Sequence, residues 1–298
     1  MIPTTLRDAW IAGIRDGSIV PYLGPGVLAD VRHATTGASM PATSDELIIA
    51  MNGGKPMSPK LMYEFPRAAM NVELKRGRSA VTKFLDATYN APWTRSAVHD
   101  WLKAIRPAYV IDINRDTQLI DSYAGVPHTL VLGCARLGGT DFRFKLFAYD
   151  GDHYTAILPG QAALGLPLLF KPMGAPKPES TYIASDADYV DYITELMGGF
   201  AVPAYVKQLR EDKRYLFLGM RFNRDSERMV MSDIIYSAAS GPAGWALLEL
   251  PTEKERRFLA KMDIEIVEAD VAELIGATKA ALAESVTVAG LCTAHHDG

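Results

Sequence analysis

"SIVPYLGPGVLAD", residues 18–30, decides how the chain is read. Ile19 and Val20 run into Pro21-Tyr22-Leu23 as a short buried strand, and the chain then breaks on Gly24-Pro25-Gly26. Two readings stay open here: a strand ended by a plain turn, or a loop whose backbone amides approach a phosphate. The partners supplied by the rest of the chain decide between them.

Upstream, residues 4–15 carry Leu6, Trp10, Ile11 and Ile14 at helical spacing. Downstream, Thr43 followed three residues later by Glu46 is a capping-box pattern ahead of "LIIAM", so a helix is expected there. "NGGKPMSP" (52–59) reads as a loop, with Ser58-Pro59 expected to start the next helix. Helix formers dominate from Lys60 to about Ile105, so a helical insertion is expected over about 40–105. "AYVIDIN" (108–114) is the second strand. "HTLVLGCARL" and "FRFKLFAYDGDHYTAI" follow, predicting a β-hairpin over about 128–157 with Asp150-Gly151 at its turn. "LPLLFK" (166–171), "YLFLG" (215–219), "WALLEL" (245–250) and "IEIVEA" (264–269) are further strands, with helices at about 186–197 and 252–262 between them. Short apolar strands separated by helices imply crossovers. The expected fold is α/β, a Rossmann-like, mainly parallel sheet with helices on both faces, forming one domain over 1–298.

With 298 residues, 48% apolar and 22% charged, the chain has the composition of a globular protein. A net charge of −4 points away from nucleic acid. The two cysteines, Cys134 and Cys292, exclude a four-cysteine zinc site. The N-terminal stretch, broken by Arg7, Asp8, Arg15 and Asp16, lacks the apolar core of a signal peptide, and "LPGQAALGLPLLF" (158–170) is too short to span a bilayer. A cytoplasmic protein without membrane contact is expected.

Ligands of open α/β sheets bind beyond the carboxyl ends of the strands, so the residues just after each strand carry the information. They are Gly24, Pro25 and Gly26; Asn114, Arg115 and Asp116; Pro172, Met173 and Gly174; Gly219, Met220, Arg221, Phe222 and Asp225. Singly, each has a bland reading: a turn, a helix cap, a surface ion pair.

In order, they resemble the sirtuin-like NAD-binding domain, in its bacterial zinc-less branch. "PYLGPGVL" matches that family's Gly-Ala-Gly loop, and "VHDWLKAIRPAYVIDINRD" the helix and strand that end in Thr-Asn-Tyr-Asp. "LFKPMGAPKPESTYIASDADYVDYI" matches the strand closing on Lys-x-His-Gly and the acidic, tyrosine-bearing segment after it. "YLFLGMRFNRD" and "GWALLELPTEKERRFLAKMDIEIVEAD" complete the set, over roughly residues 15–275. The resemblance implies NAD or ADP-ribose as ligand, held by Gly24, Pro25, Gly26, Asn114, Gly219 and Arg221. It implies catalytic roles for Asn114 and its acidic companion Asp116.

The departures matter as much. Met173 stands where the family has its general-base histidine, and a thioether takes no proton at neutral pH. Pro25, Leu28, Ile113, Met220 and Arg221 also differ from the usual residues. His33 and His153 are the candidates for a substitute base, and Cys292, His295, His296 and Asp297 read as a terminal tail rather than a metal site.

The expectation is a nucleotide-binding or regulatory protein, a pseudoenzyme with weak or lost catalysis. One alternative is an NAD-consuming hydrolase or ADP-ribosyl transferase that uses Asn114, with Asp116 or an acid of "SDADYVDY" as base. Another is a structural protein whose site is filled by its own side chains and which acts through a protein partner. Association with copies of itself is also expected.

Overall fold

The computed structural model describes residues 2–138, 142–163 and 165–276. Helix α1 (Thr4–Asp16) ends on Gly17 in the left-handed conformation (φ 78°) and feeds strand β1 (Ile19–Leu23). A single 3-10 turn over Pro25–Leu28 follows. The helical layer comes next: α2 (Ser44–Met51), α3 (Phe65–Arg76), α4 (Arg78–Tyr89) and α5 (Ala97–Ile105). The Thr43–Glu46 capping box forms as the spacing requires, with the Thr43 amide donating to Glu46 at 2.9 Å. The expected helix start at Ser58-Pro59 is corrected. Residues 58–63 form turns, and the helix begins at Phe65, where Pro66 supplies the first-turn proline.

Strand β2 (Tyr109–Asp112), helix α6 (Gln118–Ser122) and strands β3 (His128–Gly133), β4 (Phe144–Tyr149) and β5 (Tyr154–Ile157) follow. Then come β6 (Leu168–Lys171) and a two-strand hairpin, β7 (Gly174–Ala175) with β8 (Thr181–Tyr182). The last third runs α7 (Asp186–Met197), α8 (Ala204–Leu209), β9 (Arg214–Leu218), α9 (Asp225–Ile234), β10 (Gly244–Leu247), α10 (Glu253–Lys261), β11 (Ile264–Val267) and α11 (Val271–Leu274). Among the described residues, no helix is long and apolar enough to cross a membrane.

Nine strands form one sheet in the order β11-β10-β9-β1-β2-β6-β3-β4-β5. It is parallel from β11 to β3; only β4 and β5 are antiparallel, so the fold is α/β with the expected hairpin at one edge. Alternation splits the strands between two cores. Ile19, Leu23, Val110, Leu216 and Leu218 pack on one face with Trp10, Ile14 and Leu102. Val20, Tyr22, Ile111, Tyr215 and Phe217 pack on the other with Tyr192, Met231 and Leu259. Burial on both faces is why these strands read as unbroken apolar runs. Pro21 sits in a central strand, where a missing amide forfeits a ladder bond. The registered pairing of β1 with β2 accordingly starts only at Tyr22.

The chain leaves β1 toward β2 on one side and returns with β9 on the other. The seam between β1 and β9 is therefore the topological switch point, where open α/β sheets form a crevice.

Candidate functional site

At that seam the two loops are built against each other. The amides of Gly24 and Gly26 donate to the carbonyls of Leu218 (2.9 Å) and Gly219 (2.7 Å). A Cβ on Gly24 would lie 2.6 Å from the Met220 Cα, and one on Gly26 would lie 2.9 Å from the Gly219 Cα. Gly219 has φ +63°, and its Cβ would come within 2.3 Å of the Val27 nitrogen. The glycines of the quoted stretch are thus required by the contact of one loop with the other, and these two amides are already committed. Gly219→Ala is expected to cost about 2–4 kcal/mol, from left-handed strain plus backbone overlap. Gly37→Ala is the control: φ is +70° there, but nothing lies within 4 Å, so only the strain should register in thermal melts.

A cleft of about 560 Å³ opens beyond the carboxyl ends of β1, β9, β10 and β11. Pro25, Gly26, Gly219, Met220, Arg221 and Arg224 line it on one side, and Leu248, Glu249, Ala269 and Asp270 continue the wall. Its size is that of a site for a small molecule or nucleotide. Arg221 reaches buried Glu255 at 2.7 Å, and Arg224 reaches Asp45 at 3.0 Å and also donates to the Tyr63 carbonyl.

Behind the cleft lies a chamber of about 30 Å³, room for roughly one water. Asn114, Met173, Arg115, Tyr189, Glu64 and Phe65 line it. Pro25, Ser44, Arg224 and Glu227 line both spaces and so form the wall between them.

Asn114 is held from three directions. Its Nδ2 donates to the Gly24 carbonyl (3.0 Å) and to Asp112 Oδ1 (2.9 Å), and its backbone amide donates to the same Asp112 oxygen at 3.0 Å. Lys171 Nζ then bonds Asp112 Oδ2 at 2.5 Å and the Asn114 carbonyl at 2.7 Å. Both acceptors of the Asn114 side chain demand its NH₂ group, which fixes the orientation of the carboxamide. Its oxygen accepts no hydrogen bond among the described residues and is the atom left for a ligand.

Asp116 lines neither space. Its Oδ1 accepts the Gln118 amide at 2.7 Å, and its Oδ2 is buried without a partner among the described residues. Burial, with Asp112 adding to it and Lys171 opposing, pushes its carboxyl up to about 6.

Met173 is buried, and its sulfur accepts the Tyr189 hydroxyl at 3.1 Å. Arg115 Nη2 in turn donates to the Tyr189 oxygen at 3.2 Å and to the Ile183 carbonyl at 2.6 Å. No described histidine lines either space. His153 is exposed beside Asp152, His33 caps the amides of Thr35 and Thr36, and His128 bonds Val126 and Tyr154. His99 is fully buried, which holds its imidazole well below the ordinary value. Cys292, His295, His296 and Asp297 lie outside the described residues. Among the described residues no group of three or more acidic, histidine or cysteine side chains could hold a metal.

Sequence reasoning missed Glu227, Glu64 and Arg224. Glu227 was in principle findable, because the first turn of the helix after a switch-point strand faces the crevice.

No curated protein matches the chain. Residues 135–267, from just after β3 to the end of β11, match the model of the SIR2-like domain, and over that stretch the chain is similar to that family.

Proposed function

We propose that this chain binds NAD or ADP-ribose in the 560 Å³ cleft and lacks the histidine-dependent chemistry of sirtuin-like enzymes, so that any catalysis is weak. The observation that carries the reading is the cleft itself, open at the switch point of a parallel sheet whose second half is SIR2-like. In this reading the diphosphate lies over Pro25, Gly26 and Gly219 with Arg221 and Arg224 as its cations. A guanidinium is the side chain best matched to phosphate oxygens. Asn114 offers its carboxamide oxygen to the ribose beyond. The SIR2-like unit extends N-terminally of the matched stretch, because β9 pairs along its whole length with β1 and the cleft needs both loops. An open cleft speaks against the purely structural alternative, while the near-filled chamber and Met173 speak for impaired catalysis.

Calorimetric titration with ADP-ribose and NAD tests this directly. Saturable binding is expected, weakened about tenfold or more by Arg221→Ala or Arg224→Ala, the scale of one lost charge-assisted hydrogen bond. Absence of heat with either nucleotide at millimolar concentration would overturn the reading.

A further inference from the structure

With Met173 unable to take a proton, the site needs a different acceptor if it is to activate water. Of the four residues on the wall between cleft and chamber, Pro25, Ser44, Arg224 and Glu227, only Glu227 can serve at neutral pH. It stands in the first turn of α9, and its carboxylate makes no hydrogen bond or ion pair with any described residue. The other acids nearby are occupied. Glu64 accepts the Asp225 amide at 2.9 Å, Asp45 pairs with Arg224, and Asp270 caps the Ala272 amide at 3.0 Å.

We propose that Glu227 is the general base of this site, taking a proton from a water that hydrolyses the nicotinamide–ribose bond of NAD bound in the cleft. The inference rests on the nucleotide-binding reading above. The C1′–N bond breaks with its electron pair going to nicotinamide. The water oxygen bonds C1′, and the water proton passes to the Glu227 carboxylate and then to solvent. ADP-ribose, nicotinamide and one proton are the products. The transition state is oxocarbenium-like, so the negative charges of Glu227 and Glu64 beside the chamber also stabilise it.

The electrostatic setting agrees with the role. Burial pushes the Glu227 carboxyl up to about 7; Arg115 from the β2 loop and Arg224 from the turn before α9 oppose this, and Glu64 ahead of α3 adds to it. The phenols of Tyr22 on β1 and Tyr189 on α7 lie near enough to feel the charge of the same carboxyl. A base poised near the working pH combines a large deprotonated fraction with useful basicity.

The test measures nicotinamide release from NAD between pH 5.5 and 9 for the wild-type chain, Glu227→Gln and Glu227→Asp, with ADP-ribose binding measured on each. Expected are slow wild-type release that rises with pH to a plateau, with a midpoint near 7, and a loss of about 10²-fold or more in Glu227→Gln. Glu227→Asp should keep the pH step at a lower rate, and ADP-ribose should bind all three. Wild-type protein that binds ADP-ribose without releasing nicotinamide would overturn the inference. So would an unchanged rate in Glu227→Gln or a flat pH profile. Failure of ADP-ribose to bind the wild type would instead remove the nucleotide-binding reading, and this inference with it.

Discussion

Replacing Met173 with histidine is expected to raise nicotinamide release from NAD by about 10²-fold or more over the unsubstituted chain, the usual scale of a positioned general base. Met173 lines the inner chamber beside Asn114, at the position directly after the β6 strand and Pro172. The Tyr189 oxygen beside its sulfur can accept the N–H of an imidazole placed there, which leaves the other ring nitrogen with its lone pair open. Burial at this position disfavours imidazolium, which leaves the ring neutral and able to accept a proton. Met173→Gln, polar but without a basic nitrogen, is the control and should show no gain. Equal rates for the histidine and glutamine variants would mean that a histidine at position 173 adds nothing to the base that Glu227 supplies.

Lys171→Met is expected to destabilise the protein by about 3–5 kcal/mol, the cost of leaving a buried partner charge uncompensated. Lys171 and Asp112 are both fully buried, and Asp112 also holds the Asn114 amide and side chain. Removing the ammonium strips Asp112 of its counter-charge and removes the attraction that restrains the rise of the neighbouring Asp116 carboxyl. Urea denaturation at two pH values reads both effects. A carboxyl whose folded pKa is raised binds more protons in the folded state, so its contribution falls as pH rises from about 4 toward the folded value. For Asp116 in the wild type that window ends at about 6. In Lys171→Met it should extend upward, making the deficit larger at pH 7.5 than at pH 5. The double variant Lys171→Met/Asp112→Asn should recover part of the loss, because no unpaired charge is then left inside. A deficit below 1 kcal/mol would contradict the pairing as described.

What could be read in the sequence was what short-range physics sets. The Thr43–Glu46 box needs only residues three apart, and the cap forms. The strands bury both faces, so their apolar runs stood out, and α7 occupies the segment expected for it. Ser58-Pro59 misled because two residues suited to a helix start also suit a turn, and Phe65 with Pro66 offered an equivalent start packed into the core. The glycine loop was ambiguous for a deeper reason. Gly24 and Gly26 look the same whether their amides meet a phosphate or the carbonyls of a loop nearly two hundred residues away. Glu227 went unread because the signal that points to it, the first turn of the helix after a switch-point strand, becomes specific only once the β1–β9 adjacency is known.

The contact between the Gly24–Gly26 turn and Gly219 also bears on how such a site can evolve. Its seam is made of main chain on both sides, with no room for even a methyl group at three positions. Sequence drift in one turn therefore has no side chain in the other to compensate it, and paired changes do not rescue single ones. Tolerance of substitution is therefore expected at the rim, at residues such as Arg221, Arg224, Glu249 and Asp270, and not in the seam.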